Sequence, residues 1–433
     1  MASRAAEITR DRTATYTYTS GTTGPPKAVT QTHDNMLSML ESIERVDLFN
    51  DKVQAAGLFL FLPLAHSFGR LVELAGPYFD SALVLSSVPT LADDLKATLP
   101  GFFPSAPRVF EKMKAKIESA VAGASTTRKR LFHWALGVGR ETIPYRCDGK
   151  PLPFGLSLRY RIADRLVLSK LRARLGFDRA EILLSGSAPL SQDVHEFFFA
   201  CGLTLLEGYG LTETCPALTA TRPGHIRMGT VGLAFDCVEL KIADDNEILA
   251  KGANITKGYH NRDDANAEAF DEAGWFHTGD LGALDADGYL RITGRKKELI
   301  KTSGGKYVSP AKIEGRLKSP PYVQEAVVIG DRRNFCVALI ALDPEGLADW
   351  AQQNGVAADP ASEPVRQALQ AHVDEVNAGL ASFETIKYFR VLPEPMTVEN
   401  GILTASLKVK RRVVEERYAD RIEEMYQSAS SAA

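Results

Sequence analysis

Residues 13–19 alternate threonine with alanine or tyrosine, the period-two pattern of a strand, and then break into Ser20-Gly21-Thr22-Thr23-Gly24-Pro25-Pro26-Lys27. Met36, Leu37, Leu40 and Ile43 recur at helical spacing behind Asp34 as candidate cap, so this opening segment reads strand, loop, helix. Apolar runs at 58–62, stopped by Pro63, and at 83–85 predict two more buried strands. Residues 108–175 predict helices, with Phe110, Met113, Ile117 and Val121 on one face and a mostly basic side opposite. A strand at 182–184, a helix at 191–200 and a strand at 203–206 form a βαβ unit. Ligands gather beyond the strand carboxyl ends in such sheets, which puts the loops 185–189 and 207–213 in one crevice. Phe197, Phe198 and Phe199 read as core.

From residue 231 short strands alternate with Asp, Asn and Gly turns, including Asp285-Ala286-Asp287-Gly288. The expectation is an α/β fold: a large domain at 1–294 with a β-rich lobe at 231–294, and a small α+β domain at 295–433. In the latter a strand pair near 326–329 and 337–342 mixes with helices and a helical tail from Arg412.

Composition narrows the partners. The 433 residues carry 51 Lys and Arg against 54 Asp and Glu, a net charge of −3, which argues against a general nucleic-acid binder. The five cysteines, at 147, 201, 215, 237 and 336, form no C-x-x-C pair, so a reduced, cytoplasmic setting is expected. No unbroken apolar run of about 18 residues occurs, and residues 1–12 are charged. Nothing is therefore expected to span a membrane or direct export, while peripheral membrane contact stays open.

Four stretches carry chemistry. The loop from Ser20 to Lys27 packs hydroxyls, two glycines and a cation directly after a strand, so it can wrap a polyphosphate, the other reading being a surface turn. It has no Gly-Lys-Ser/Thr, which disfavours a P-loop NTPase. Tyr209-Gly210-Leu211-Thr212-Glu213 sets a carboxylate in the crevice, where Glu213 could hold Mg²⁺ or simply cap a helix start. Asp280, after a Gly-containing turn in Thr278-Gly279-Asp280, suits ribose hydroxyls or a hairpin cap. Between Arg291 and Lys318 nine basic residues face only Glu298 and Glu314, as either a solvated surface or a site for an anionic nucleotide or coenzyme.

Together with Gly294-Arg295-Lys296-Lys297-Glu298-Leu299-Ile300-Lys301, these ordered motifs resemble the adenylate-forming, AMP-binding superfamily, specifically the long-chain fatty acyl-CoA synthetases, over about 13–418. Pro107-Arg108-Val109-Phe110-Glu111-Lys112 and Leu392-Pro393-Glu394-Pro395 are similar to the long-chain branch. The resemblance implies that a fatty carboxylate attacks the α-phosphorus of Mg·ATP to give acyl-adenylate and pyrophosphate, after which coenzyme A displaces AMP. Lys408 would bridge carboxylate and phosphate, Thr19 and Glu213 would hold Mg²⁺, and Ser20, Gly21, Thr22, Thr23, Gly24 and Lys27 would grip the phosphates. Gly186, Ala188, Glu207 and Tyr209 would surround adenine, Ser187, Gly208, Gly210 and Thr212 would complete the nucleotide set, and Asp280 and Arg295 would meet the ribose. The family's C-terminal domain rotates about a hinge that corresponds to Lys297. Lys301, Gly304 and Gly305 would then serve thioester formation. His66 resembles the residue at the mouth of the acyl tunnel, although a loop histidine taken alone reads as structural.

The chain begins almost at the phosphate loop, so the family's usual N-terminal subdomain is expected to be lacking, which reads as a fragment, a split enzyme with a separate N-terminal partner, or a fold that re-closes as a homo-oligomer. Ala28, Ala405 and Ser406 depart from the family's pattern. Two rivals remain: an acyl-AMP ligase loading a carrier protein, and a non-catalytic remnant that binds nucleotide or acyl chains. Retention of Lys27, Glu213, Asp280 and Lys408 opposes the second.

Overall fold

A computed structural model describes residues 7–19, 26–404 and 408–430. The described chain forms two compact units, one up to Ile292 and one from Thr293 onward.

In the first unit, β1 (Thr13–Thr19) pairs antiparallel with β2 (Lys27–Thr32), the chain returning as a strand before any helix begins. The sequence pattern hides β2 because Gln31 and Thr32 are as buried as Ala28 and Val29, so polarity does not alternate. The helix His33–Arg45 is capped by Thr32, not Asp34. Thr32 Oγ1 accepts from the Asn35 N–H at 3.2 Å and Asn35 Oδ1 accepts from the Thr32 N–H at 2.9 Å, a reciprocal capping box. Asp34 instead pairs with Arg10 at 2.6 Å.

The central sheet holds β3 (Leu58–Leu60), β4 (Leu83–Leu85), β5 (Phe102–Ser105), β6 (Ile182–Ser185), β7 (Leu205–Tyr209), β8 (Thr219–Ala220) and β9 (Leu233–Ala234). Their spatial order is β4-β3-β5-β6-β7-β8-β9. It is parallel from β4 to β7 and antiparallel beyond. β5 escapes the sequence pattern because Pro104 interrupts it. A proline is tolerated there because β5 meets β3 only at Phe102, leaving no ladder bond for the missing N–H on that side. β7 starts two residues and ends three residues later than the pattern suggests, so Glu207, Gly208 and Tyr209 lie in the strand rather than the following loop.

The helix Gln192–Ala200 crosses from β6 to β7 and buries Phe197, Phe198 and Phe199 at 1% exposure or less, which makes them core. Helices Pro107–Ala122, Thr126–Cys147 and Phe154–Ala163, a π turn Asp164–Leu168 and a helix Ser169–Leu175 form a layer beside them. The β-rich lobe orders β10 (Val238–Ile242), β11 (Glu247–Gly252), β12 (Phe276–Leu284) and β13 (Leu290–Arg295) side by side. Asp280 sits inside β12, not after a turn.

The second unit opens with the hairpin β14 (Ile300–Lys301) and β15 (Tyr307–Val308). A three-stranded sheet follows, of β16 (Val323–Ile329), β17 (Cys336–Leu342) and β18 (Ile386–Val391), with β18 joining parallel to β17. Successive side chains of a strand point to opposite faces, and β17 is buried on both. Cys336, Ala338, Ile340 and Leu342 enter one core with Leu369 and Val373, while Val337, Leu339 and Ala341 enter another with Met396 and Met425. No helix among the described residues is long and apolar enough to cross a membrane.

Candidate active site

Thr19 and Lys27 face each other as the last pair of the β1–β2 ladder, so strand register brings together the two ends of the loop between them. Ser20, Gly21, Thr22, Thr23 and Gly24 lie outside the described residues. Thr19 Oγ1 donates to the Lys27 carbonyl at 3.4 Å. Lys27 Nζ stands 4.7 Å from the centroid of the Tyr259 ring, and the Tyr259 hydroxyl donates to Glu213 Oε1 at 2.8 Å. The loop lysine and the carboxylate, far apart in sequence, are thus joined by one side chain that no motif had marked. Burial and the adjacent Glu213 carboxylate push the phenol well above its ordinary value, which keeps it a hydrogen-bond donor.

Glu213 is buried on the 3₁₀ turn Thr212–Thr214 that follows β7. Its carbonyl accepts from the Thr256 N–H at 2.8 Å, and Gln31 Nε2 donates to the Thr212 carbonyl at 2.7 Å. Gln31 also reaches Ser67 Oγ at 3.2 Å, linking the turn to the start of helix Ser67–Tyr78. His66 is the residue just before that helix, half-buried, with its N–H on the Pro63 carbonyl. Gln31 and Thr256, like Tyr259, could not be found by motif, because they act from β2 and from a loop remote in sequence.

Ser185, the last residue of β6, pairs with Glu207 in the middle of β7. Gly186 lies beside Gly208, a Cβ on it falling 3.7 Å from the Gly208 carbonyl oxygen and 3.3 Å from Phe68. Ser187 takes a positive φ of 72°, and Ala188 is exposed beyond it. The Tyr209 hydroxyl donates to Asp280 Oδ2 at 2.8 Å, which brings the second and third sequence motifs into contact. Gly210 admits no side chain, since a Cβ would stand 1.9 Å from the Pro216 carbonyl oxygen. Beneath Glu207, buried His195 places Nε2 2.7 Å from the Leu205 carbonyl and Nδ1 3.2 Å from the Glu207 carboxylate. No sequence motif marks His195.

The remaining expected residues belong to the second unit. Arg295 ends β13, 4.0 Å from Glu298, and Lys297 is exposed on the 3₁₀ turn Lys296–Glu298. Lys301 in β14 stands 5.6 Å from the Tyr307 ring centroid, and Gly304 and Gly305 make the hairpin tip, with Gly305 at φ 75°. Lys408 is exposed. Thr404 N–H donates to the Lys408 carbonyl at 2.8 Å, Lys408 N–H donates to Thr404 Oγ1 at 3.1 Å, and Leu403 bridges Val409, so a short hairpin presents it. Ala405 and Ser406 lie outside the described residues.

Among the described residues no cluster of three or more His, Cys, Asp or Glu could hold a metal.

The family model described as AMP-binding enzyme matches residues 2–260, and that for the AMP-binding enzyme C-terminal domain matches 297–430. The chain belongs to the AMP-binding enzyme family. This AMP-binding enzyme is 39% identical to the long-chain-fatty-acid–CoA ligase FadD15 of Mycobacterium bovis, over 98% of this chain and 71% of that protein. It is 34% identical to the peroxisomal long chain acyl-CoA synthetase 7 of Arabidopsis thaliana, over 95% of this chain and 61% of that one. Among solved structures it is similar to the O-succinylbenzoate coenzyme A synthetase of Bacillus subtilis in complex with AMP. That match has TM-score 0.64 and 25% identity, covering 94% of this chain and 69% of the other. The α/β architecture with a smaller C-terminal unit is the fold of this family.

Proposed function

We propose that this AMP-binding enzyme activates a long-chain fatty acid with ATP, through an acyl-adenylate, and passes the acyl group to coenzyme A, releasing pyrophosphate and then AMP. The observation that carries the reading is the chain Lys27–Tyr259–Glu213, which sets a cation and a carboxylate at one end of the parallel sheet. The relatives named above are ligases that use coenzyme A, which favours that acceptor over a carrier protein.

The first half-reaction brings a carboxylate against a triphosphate, so its barrier is largely like-charge repulsion. Lys27 would neutralise terminal phosphate oxygens, with Ser20 to Gly24 supplying further donors. Tyr259 holds Lys27 and Glu213 in fixed places, so little reorganisation is needed when substrate arrives. Mg²⁺ held by Glu213 and Thr19 would supply further neutralisation at the phosphates. Glu207, Tyr209 and the backbone at Gly186, Ser187 and Ala188 would seat adenine, and Asp280, held in place by Tyr209, would accept from the ribose. Lys408 would serve adenylation, its exposed ammonium suited to the charge developing at the α-phosphorus. Arg295, Lys297, Lys301, Gly304 and Gly305 would serve the nucleotide and the pantetheine arm, and His66 the acyl side.

The test is ATP–pyrophosphate exchange over carboxylic acids of increasing length, with mass spectrometry for the coenzyme A thioester. Exchange that grows with chain length and a thioester product is the expected result. Exchange without thioester would turn the reading toward a carrier-protein ligase, and no exchange with any acid would overturn it.

A further inference from the structure

The helix Phe154–Ala163 and the π turn Asp164–Leu168 carry an outward face that the proposed chemistry does not use. Phe154, Leu158, Ile162 and Leu166 recur every fourth residue, and all four are exposed, at 88%, 52%, 46% and 44%. Spacing of four keeps side chains on one side of a helix, so these residues line up as a single apolar stripe. The inner side of the same segment is fully engaged: Ala163 and Leu168 pack on Ala135 and Val138 of the helix Thr126–Cys147. That helix adds Leu131 and Trp134, both more than a third exposed, one turn before its packing residues. The stripe is therefore not a face awaiting the rest of its own helical layer.

Charge says what it fits. Between Phe154 and Leu175 six basic residues, at 159, 161, 165, 170, 172 and 174, stand against Asp164 alone. Asp164 is engaged by Arg172 at 2.8 Å, and Arg159 by Glu141 at 2.9 Å. Arg161 and Arg165 remain exposed, and helical spacing interleaves them with Phe154, Leu158 and Ile162 rather than ringing them. Long cationic side chains mixed into an apolar stripe match a boundary where hydrocarbon and anionic phosphates lie a few ångströms apart. In a chain of net charge −3 such attraction must be local.

We propose that this face docks the protein on an anionic lipid bilayer, the apolar stripe entering the headgroup boundary and Arg161 and Arg165 meeting lipid phosphates. The proposal deepens the functional reading, because long-chain acids partition into bilayers, but it rests on the stripe and is tested without substrate.

The test is co-sedimentation of the full chain with phosphatidylcholine vesicles, with and without phosphatidylglycerol. Binding is expected to the anionic vesicles only, and to weaken as salt is raised. The double variants Phe154→Ser/Leu158→Ser and Arg161→Glu/Arg165→Glu should each lower the bound fraction about tenfold or more. Their melting temperatures and their pyrophosphate exchange with a short, water-soluble acid should match the parent protein. No binding of the parent to anionic vesicles, or equal binding by both variants, overturns the proposal. So does a loss of self-association in the serine variant with vesicle binding unchanged, since the stripe would then face a second copy. Vesicle binding by a protein that activates no acid would leave the docking face standing and defeat only the ligase reading.

Discussion

The Tyr259 hydroxyl donates to Glu213 Oε1 at 2.8 Å while the same ring lies 4.7 Å under Lys27 Nζ. Tyr259→Phe keeps the ring under the lysine and removes only the bond to the carboxylate. A hydrogen bond to a charged group is worth about 1.5–3 kcal/mol, so pyrophosphate exchange should fall about tenfold to a hundredfold and demand more Mg²⁺. An unchanged magnesium titration would remove the tyrosine from the site.

Lys408 should separate binding from chemistry. Lys408→Ala is expected to lower adenylation by about 10²–10³-fold, the scale of losing one charge-stabilising donor, with the equilibrium affinity for ATP nearly intact. Equal losses in both would mean that the residue holds nucleotide rather than reacting groups.

Asp280 and Tyr209 should behave as a pair. Asp280→Ala removes the acceptor and should raise the dissociation constant for ATP about tenfold, whereas Tyr209→Phe, which removes one bond to Asp280 and keeps the carboxylate, should cost less. A double variant whose loss is smaller than the two single losses combined, measured by calorimetry, would register their contact.

These three experiments divide between what the primary structure displays and what it conceals. The hydroxyl, cation and acids of the short motifs are legible because their spacing along the chain is itself the signal, as at Thr19, Lys27, Glu213 and Asp280. Tyr259, Gln31 and Thr256 are illegible for the opposite reason. Gln31 reaches a carbonyl 181 residues away, and Tyr259 a carboxylate 46 residues away, contacts that only the folded sheet creates. Thr32 rather than the charged Asp34 caps the helix because its bonds with Asn35 are reciprocal, which the residue types alone do not reveal. β18 carries charged residues at both 387 and 390, so its place beside the wholly buried β17 leaves no apolar run to read.

Phe198 offers a test of core against acyl site. Fully buried, with ring centroids 5.4 Å from Phe110 and 5.6 Å from Phe197, it should cost about 3–5 kcal/mol of stability as Phe198→Ala. Whatever enzyme stays folded should keep its preference among acid lengths, as chemical denaturation and an acid series would register together. A shifted length preference would assign the side chain to the acyl site.

The cysteines set an alkaline limit. Burial pushes the Cys147 and Cys336 thiols up to about 11 and Cys201 up to about 12, from an ordinary 9.0. Folded protein then keeps protons that unfolded protein releases, so stability is fully present below pH 9 and declines as pH rises through the interval up to the folded values. Urea titrations across that interval should show the midpoint falling, and a flat midpoint would mean that the thiols ionise equally in both states.

The crowding at Gly210 has a further meaning for anyone scanning this stretch by mutation. Adding a single methyl there forces it into the backbone at Pro216, so an inactive alanine variant would speak of room, not reactivity. Invariance at that letter would reward a tight fit between two chain segments, and tolerance would be restored by moving residue 216 rather than by any change in what the enzyme binds.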